Sequence, residues 1–365
     1  MRFILIIGII ISSSFSNFAQ ETKWGKISGQ VFADYFYNIS RDTSFSNFDN
    51  AAVDGPKDLN GFVLRRAAIS YDMDISEKFS ARFRLEADSK SNTSNSKIGV
   101  FVKDAFLKWK NIFAASDLIV GIQPTFSFEV AEKYWGYRSL EKTVQDLRGF
   151  VASRDFGIAL RGNLSESGSV NYSVMFANNS GNSPETDKYK RYYAAFDFKP
   201  IDNFTIAVTG DFKSRHSIDD PNNDGETLAN NSILGSLFIG FAEKNKYSFG
   251  VEGVYQINQN NVLRTDPNSP NPFYEGVSGL AISAFGSYWF TETIAGLLRY
   301  DYFDPFAGED YKGDTRNYFI AGVDFKADKS VSIIPNVIYE SYESLPGGTS
   351  FDASITGRVT LNYNF

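Results

Sequence analysis

The sequence predicts an all-β fold: a transmembrane, antiparallel, up-and-down β-barrel of about 16 strands. Three observations point there. Long segments alternate between an apolar and a charged face, and the connections joining them alternate between short and long. The composition is 16% aromatic, with 34 Phe and 20 Tyr, and contains no Cys. Aromatic and β-branched side chains fit pleated strands better than helices.

Taken from the N-terminus, residues 1–19 read as a secretory signal peptide. Arg2 precedes an apolar run from Phe3 to Ile11, and a small, polar stretch ends at Ala19, where cleavage is expected. The run is shorter than the roughly 20 residues of a spanning helix, and no later stretch comes near that length. Residues 20–365 then read as one barrel domain.

Strands are expected at 27–38, 62–75, 79–88, 99–110, 117–124, 154–164, 168–178 and 188–199. The second half adds 203–215, 231–242, 246–258, 278–290, 294–304, 315–327, 331–343 and 350–365. Alternation is weakest at 117–124 and 231–242. In the third segment Phe79, Ala81, Phe83, Leu85 and Ala87 oppose Ser80, Arg82, Arg84, Glu86 and Asp88. A period of two with one face apolar and the other charged marks a strand between two solvents.

Every second connection is short (76–78, 111–116, 165–168, 200–202, 243–245, 291–293, 328–330). The others are mostly longer (39–61, 89–98, 125–153, 179–187, 216–230, 259–277, 305–314, 344–349). Outer-membrane barrels have this asymmetry, with periplasmic turns and longer extracellular loops, and an even strand count. Hydrocarbon forces closure, because every backbone polar group must be paired. Tyr and Phe near strand ends, such as Tyr35, Tyr37, Tyr288, Phe290, Tyr300 and Tyr363, fit interfacial girdles. A soluble sandwich would share the alternation, but its strands average about 5–6 residues, about half the length of these segments. The half of each strand that faces water accounts for a mean hydropathy of −0.25.

Composition excludes several classes. Without Cys there is no disulfide framework, thiolate metal site or lipid anchor, and the single His216 rules out histidine-rich sites. The acidic balance, 43 Asp and Glu against 36 Lys and Arg, argues against a nucleic-acid partner. Asp155-Phe156-Gly157 spells a kinase triplet but lies on an alternating strand without a Gly-rich loop. His216 beside Ser217 has no identifiable third member of a triad. The chain therefore reads as no enzyme, with no cofactor.

Phe62–Tyr71 (FVLRRAAISY), Val102–Lys110 (VKDAFLKWK), Leu118–Glu129 (LIVGIQPTFSFE) and Arg138–Leu160, with its YRSLEKT and SRDFGIAL elements, carry a resemblance. Together they resemble the phosphate-selective porin O/P family and related porins of Bacteroidetes-like bacteria, chiefly over the N-terminal half. The resemblance implies a trimeric outer-membrane channel of 16 strands for small hydrophilic solutes or ions in a Gram-negative bacterium, with the membrane lipid and the assembly machinery as partners. The terminal Phe365, inside the last alternation, resembles the signal that this machinery reads. The alternative is a plugged surface barrel acting as an adhesin or structural protein.

Selectivity in such a pore comes from charges on the water face. By parity the inward bases are Arg66, Arg82, Arg84, Lys108, Lys110, Arg161, Arg191, Lys199, Lys213, Arg215, Arg299, Lys326 and Arg358. The inward acids include Asp34, Asp72, Glu86, Asp104, Asp155, Asp211, Glu252, Asp301, Asp324 and Glu340, and the two signs nearly balance. Two readings stay open: paired charges filling a wall, or an anion path with Arg82, Arg84, Arg161, Arg191 and Arg215 as stations.

Loop 125–153 is long and chemically rich, with Glu132, Lys133, Tyr134, Trp135, Arg138 and Arg148 as its candidate constriction residues. Long loops in compact folds are usually functional. It is expected to fold into the channel and narrow it, as the third loop of porins commonly does, the alternative being a loop packed over the mouth. A short helix over 139–147, with Leu140 and Val144 on one side, is expected within it. Asp220, Asn222 and Asp224, followed by Gly225, match the opening of a calcium loop, but the twelfth position is Asn231 instead of Glu. Ordinary turn chemistry explains the same residues.

Overall fold

The computed structural model describes residues 25–42, 55–88, 94–95, 97–265, 271–308, 314–345 and 347–365. The expected signal segment 1–19 lies outside the described residues. In chain order the first strands are β1 (Lys26–Ser40), β2 (Asn60–Asp74), β3 (Phe79–Asp88), β4 (Phe101–Phe113) and β5 (Ser116–Pro124). Helices α1 (Glu129–Trp135) and α2 (Val144–Leu147) follow. Next come β6 (Arg154–Asn163), β7 (Val170–Ala177), β8 (Arg191–Ile201), β9 (Phe204–Lys213) and a small hairpin, β10 (Ile218–Asp219) with β11 (Thr227–Leu228). The chain ends with β12 (Ser232–Glu243), β13 (Tyr247–Thr265), β14 (Pro272–Trp289), β15 (Ile294–Asp304), β16 (Arg316–Asp328), β17 (Val331–Tyr342) and β18 (Ser354–Asn364).

All but β10 and β11 form one closed antiparallel barrel, each strand paired with its neighbours in sequence and β1 closing on β18. The closing register runs from Gln30 opposite Asn364 to Ser40 opposite Ile355. Beyond it, Gly29 and Phe365 exchange backbone hydrogen bonds at 2.8 and 3.1 Å. Closure matters because an open edge would leave unpaired N–H and C=O groups in hydrocarbon. The 16 expected strands are these 16, in order. The turn between β12 and β13 places Asn245 at a φ of +61°, a left-handed conformation that Asn tolerates better than most residues.

The two faces sort as parity requires. On β8, Arg191 and Tyr193 point inward at 4% exposure, while Tyr192 and Phe196 point outward at 50%. Large apolar side chains stand exposed on the outside of every barrel strand, Phe83, Phe156, Val208, Phe249, Phe319 and Val359 among them. An apolar surface that continuous needs an apolar solvent. A concavity of about 1750 Å³ lies against outward residues such as Phe241, Tyr288 and Phe319, so it belongs to the lipid side.

The weak alternation at 231–242 has a physical cause. Leu234 and Phe238 face inward yet are buried, because protein rather than water covers them. Ile334 and Ile338 on β17 are likewise inward and apolar.

Two irregularities alter the inward set. The pairing of β1 with β2 shifts register between Phe32 and Ala33, opposite Arg66 and Leu64, leaving Arg65 as an extra residue. The pairing of β3 with β4 shifts between Arg84 and Leu85, opposite Asp104 and Val102, leaving Lys103 extra. A bulge of this kind lets two consecutive side chains share one face. Arg65 and Arg66 both point inward, as do Lys103 and Asp104.

β13 and β14 run longer than expected, to Thr265 and from Pro272, as a hairpin continuing past the barrel rim. The helix expected over 139–147 is only the single turn of α2. Before it, Ser139, Leu140 and Lys142 instead turn their carbonyls outward to side chains of the wall. The main helix of this loop, α1, lies earlier than expected.

Candidate functional site

Loop 125–153 connects β5 to β6 and packs against the inner face of the barrel. Its entry is anchored by Phe126 and Phe128, buried among Ala159, Met175, Tyr193 and Ala195. Helix α1 then lies along β12 to β14. Tyr134 packs at a tilt against Phe238 (ring centroids 5.2 Å apart) and donates its hydroxyl to Thr205 at 2.7 Å. Trp135 packs edge-on against Phe285 at 5.5 Å and donates its indole N–H to the Glu141 carbonyl at 2.9 Å. Gly136, at a φ of +67°, ends the helix in the left-handed conformation usual for that position.

Next, wall arginines hold the loop by its backbone. Arg65 donates to the carbonyls of Ser139 and Leu140, and Arg358 donates to Leu140 at 3.1 Å. Arg299 donates to Lys142, and Arg191 to Phe150 at 3.2 Å. Carboxylates flank these donors: Asp34 beside Arg65 and Arg358, Asp301 beside Arg299, Asp211 beside Arg191. Hydrogen bonds from charged donors are worth about 1.5–3 kcal/mol each, so the loop is fastened and not merely resting. Its far side adds Arg148 on Glu340 at 2.8 Å, Tyr318 donating to Glu141 at 3.1 Å, and Gln145 donating to Glu252 at 2.6 Å.

The candidate pore residues therefore separate into two groups. Arg191 and Arg299 are buried at 4% and 3% exposure beneath the loop, holding its carbonyls instead of facing water. On the opposite side, several charges of β2 to β6 stay partly accessible, although Arg65, Glu86, Asp104 and Asp155 are buried. Arg82 pairs with Asp72 at 2.6 Å, Lys108 with Asp117 at 3.5 Å, and Arg161 with Glu129 of α1 at 2.5 Å. Arg82, Lys108, Asp72, Glu129 and Arg161 line a cavity of about 580 Å³. Arg66 and Arg84, with Lys103, gather on Glu86. Lys213 ends β9 opposite Arg191, and Arg215 donates to Asn258 at 3.1 Å.

Within the loop, Arg138 pairs with Glu132 at 3.2 Å and Asp146 at 3.3 Å, facing the Arg66 side, while Lys133 is exposed. Asp220 accepts from the Asn222 backbone N–H at 2.9 Å and from the Asn223 side chain at 2.8 Å, which hold its carboxyl below the usual range. Asn222 in turn donates to the Pro272 carbonyl, and Asp224 is exposed. These are the bonds of a closed turn. Among the described residues no cluster of three His, Cys, Asp or Glu is disposed to hold a metal ion.

Strict alternation missed Arg65 and Lys103. The available signal was adjacency: Arg65-Arg66 and Lys103-Asp104 are consecutive charged pairs on strands whose other face meets lipid, so alternation would leave one member in oil.

No family model matches the chain, and no curated protein matches it in sequence. Solved structures do match in shape. The outer membrane channel DcaP of Acinetobacter baumannii superposes with a TM-score of 0.66 at 13% identity, covering 93% of this chain and 97% of that one. The outer membrane protein OmpT of Vibrio cholerae, solved in a trimer form, gives 0.60 at 12%, covering 94% and 100%. An anion-selective porin from Comamonas acidovorans gives 0.59 at 10%, covering 93% and 99%. The architecture is the porin fold. At these identities the likeness is one of architecture, and the lumenal side chains of this porin-fold barrel have to be read from its own residues.

Proposed function

We propose that the chain is a passive outer-membrane channel for small hydrophilic solutes with a preference for anions, exported by its signal peptide and assembled as a homotrimer. The observation that carries the anion preference is the gathering of Arg66, Arg84 and Lys103 around the single carboxylate of Glu86 on the wetter wall. Half of the inward acids named above, Asp211, Glu252, Asp301, Asp324 and Glu340, lie on the other wall. Glu252, Asp301 and Glu340 are buried beneath the loop at 1%, 0% and 1% exposure. Asp301 and Glu340 are paired there with Arg299 and Arg148, and an acid neutralised by an adjacent cation adds little net charge to the potential met by a permeating ion.

In this reading loop 125–153 narrows the channel, and Glu132, Arg138 and Lys142 border the remaining passage opposite β2 to β4. The anion-selective porin among the structural neighbours and the resemblance to the phosphate-selective family favour the same preference. Reversal potential in a KCl gradient across a planar bilayer tests it. An anion-selective potential supports the reading, a cation-selective one removes the preference, and phosphate titration of the current then addresses the solute.

The fastening of the loop favours a second reading, a plugged barrel serving as an adhesin or scaffold. The same bilayer separates the two, since a plugged barrel carries no current.

A further inference from the structure

Three cations on three adjacent strands converge on one carboxylate. Arg66 of β2, Arg84 of β3 and Lys103 of β4 approach the Glu86 oxygens at 3.3, 3.2 and 3.4 Å. The Glu86 side chain is fully buried, whereas the cations retain 13%, 18% and 12% of theirs. The carboxylate thus sits behind the cations, which stand between it and the lumen. Lys103 also donates to Ser153 at 3.2 Å, and the Arg84 Nε is buried with no hydrogen-bond partner among the described residues. Across the passage Arg138 already has its own acids, Glu132 and Asp146. Glu86 is the one carboxylate on which all three cations converge, with Asp88 opposite Arg66 as the next acid along β3.

We propose that Glu86 is a resident counter-ion that sets how strongly this cluster binds small oxyanions in transit. The ligand class follows from the donors: guanidinium forks and an ammonium suit carboxylate, sulfate and phosphate groups. Conduction requires a site attractive enough to enter and weak enough to leave. Three cations without an internal anion would trap such a ligand. One tethered carboxylate competes for the same donors and loosens the grip. This inference rests on the anion-conducting reading above.

The test uses the full chain in planar bilayers, with chloride current titrated by sodium sulfate. Glu86→Gln keeps the shape and removes the charge, and the sulfate concentration for half-block should fall about tenfold, the scale of one unit charge near a hydrated boundary. Arg84→Gln keeps Glu86 and removes a cation, so the half-block concentration should rise several-fold. Half-block values for both variants within twofold of the parent, or no block in any of the three, overturn the proposal. If Glu86→Gln fails to assemble, Arg84→Gln alone decides by the same criterion. A cation-selective parent would sink the anion preference while leaving the parent-to-variant ratio as the reading of Glu86, so the two failures are distinguishable.

Discussion

Gln145 donates its side-chain amide to Glu252 across 2.6 Å, joining the single turn of α2 to the inner wall at β13. Both residues are almost fully buried, and the second oxygen of Glu252 has no hydrogen-bond partner among the described residues. Gln145→Leu removes the donor and leaves a buried carboxyl without compensation, at a cost of about 1–3 kcal/mol. The expected result is a noisier single-channel current, as the loop leaves its seat more often. A current as quiet as the parent's would contradict this account of the seat.

Arg299→Gln attacks the same seat through the backbone. The guanidinium bonds the Lys142 carbonyl and Asp301, and its loss strands a buried carboxylate, which typically costs about 3–5 kcal/mol. The temperature at which the folded barrel loses its compact migration on detergent gels should drop, and sub-conductance states should appear. Arg299→Lys should recover only part of either effect, because a lysine cannot reach both partners in the same geometry.

Deletion of 132–146 removes the segment fastened by Arg65, Arg299 and Arg358 and should raise conductance several-fold. Liposome swelling should then admit larger sugars. An unchanged size limit would mean that the narrowest point lies elsewhere.

Phe196 tests the oil side of the wall. It is half exposed on β8, between the inward Ala195 and Asp197. Phe196→Arg should destabilise the barrel in lipid by about 2–4 kcal/mol if the position lies near mid-membrane, measured by urea unfolding in vesicles. The same substitution in a soluble particle would be nearly neutral.

Arg82 and Arg84 together test the passage. Replacing both with Glu reverses two charges beside Asp72 and Glu86, and the reversal potential should move toward cations by tens of millivolts. No movement would leave the wall as paired filler.

Most of the architecture is legible in the sequence because a lipid-spanning strand has a different solvent on each side. Phe83 and Arg84, adjacent in the chain, could occupy only those faces. Legibility fails where that contrast is absent. Leu234 and Phe238 look like a broken alternation because loop 125–153 keeps water off them. The extensions of β13 and β14 were missed for a related reason: around the Arg264–Glu275 pair polar residues stand on both faces, and parity carries no signal. The charge balance was legible as a sum but not as a distribution, since nothing in the order of residues reveals that Glu252 and Glu340 are sealed while Arg82 is not. The three backbone clamps on 139–142 were beyond reach, because carbonyl acceptors are the same for every residue type.

The extra residues at Arg65 and Lys103 bear on how such a wall changes over generations. Each is a one-residue insertion that the sheet absorbs locally: the neighbouring strands keep their partners and the strand number stays the same. A gene that gains or loses one codon at Lys103 would switch a positive charge into or out of the Glu86 cluster, and at Arg65 a clamp on the loop, without rebuilding the cylinder. Permeability in this scaffold can therefore drift by single-codon slippage, a cheaper route than coordinated replacement of paired side chains.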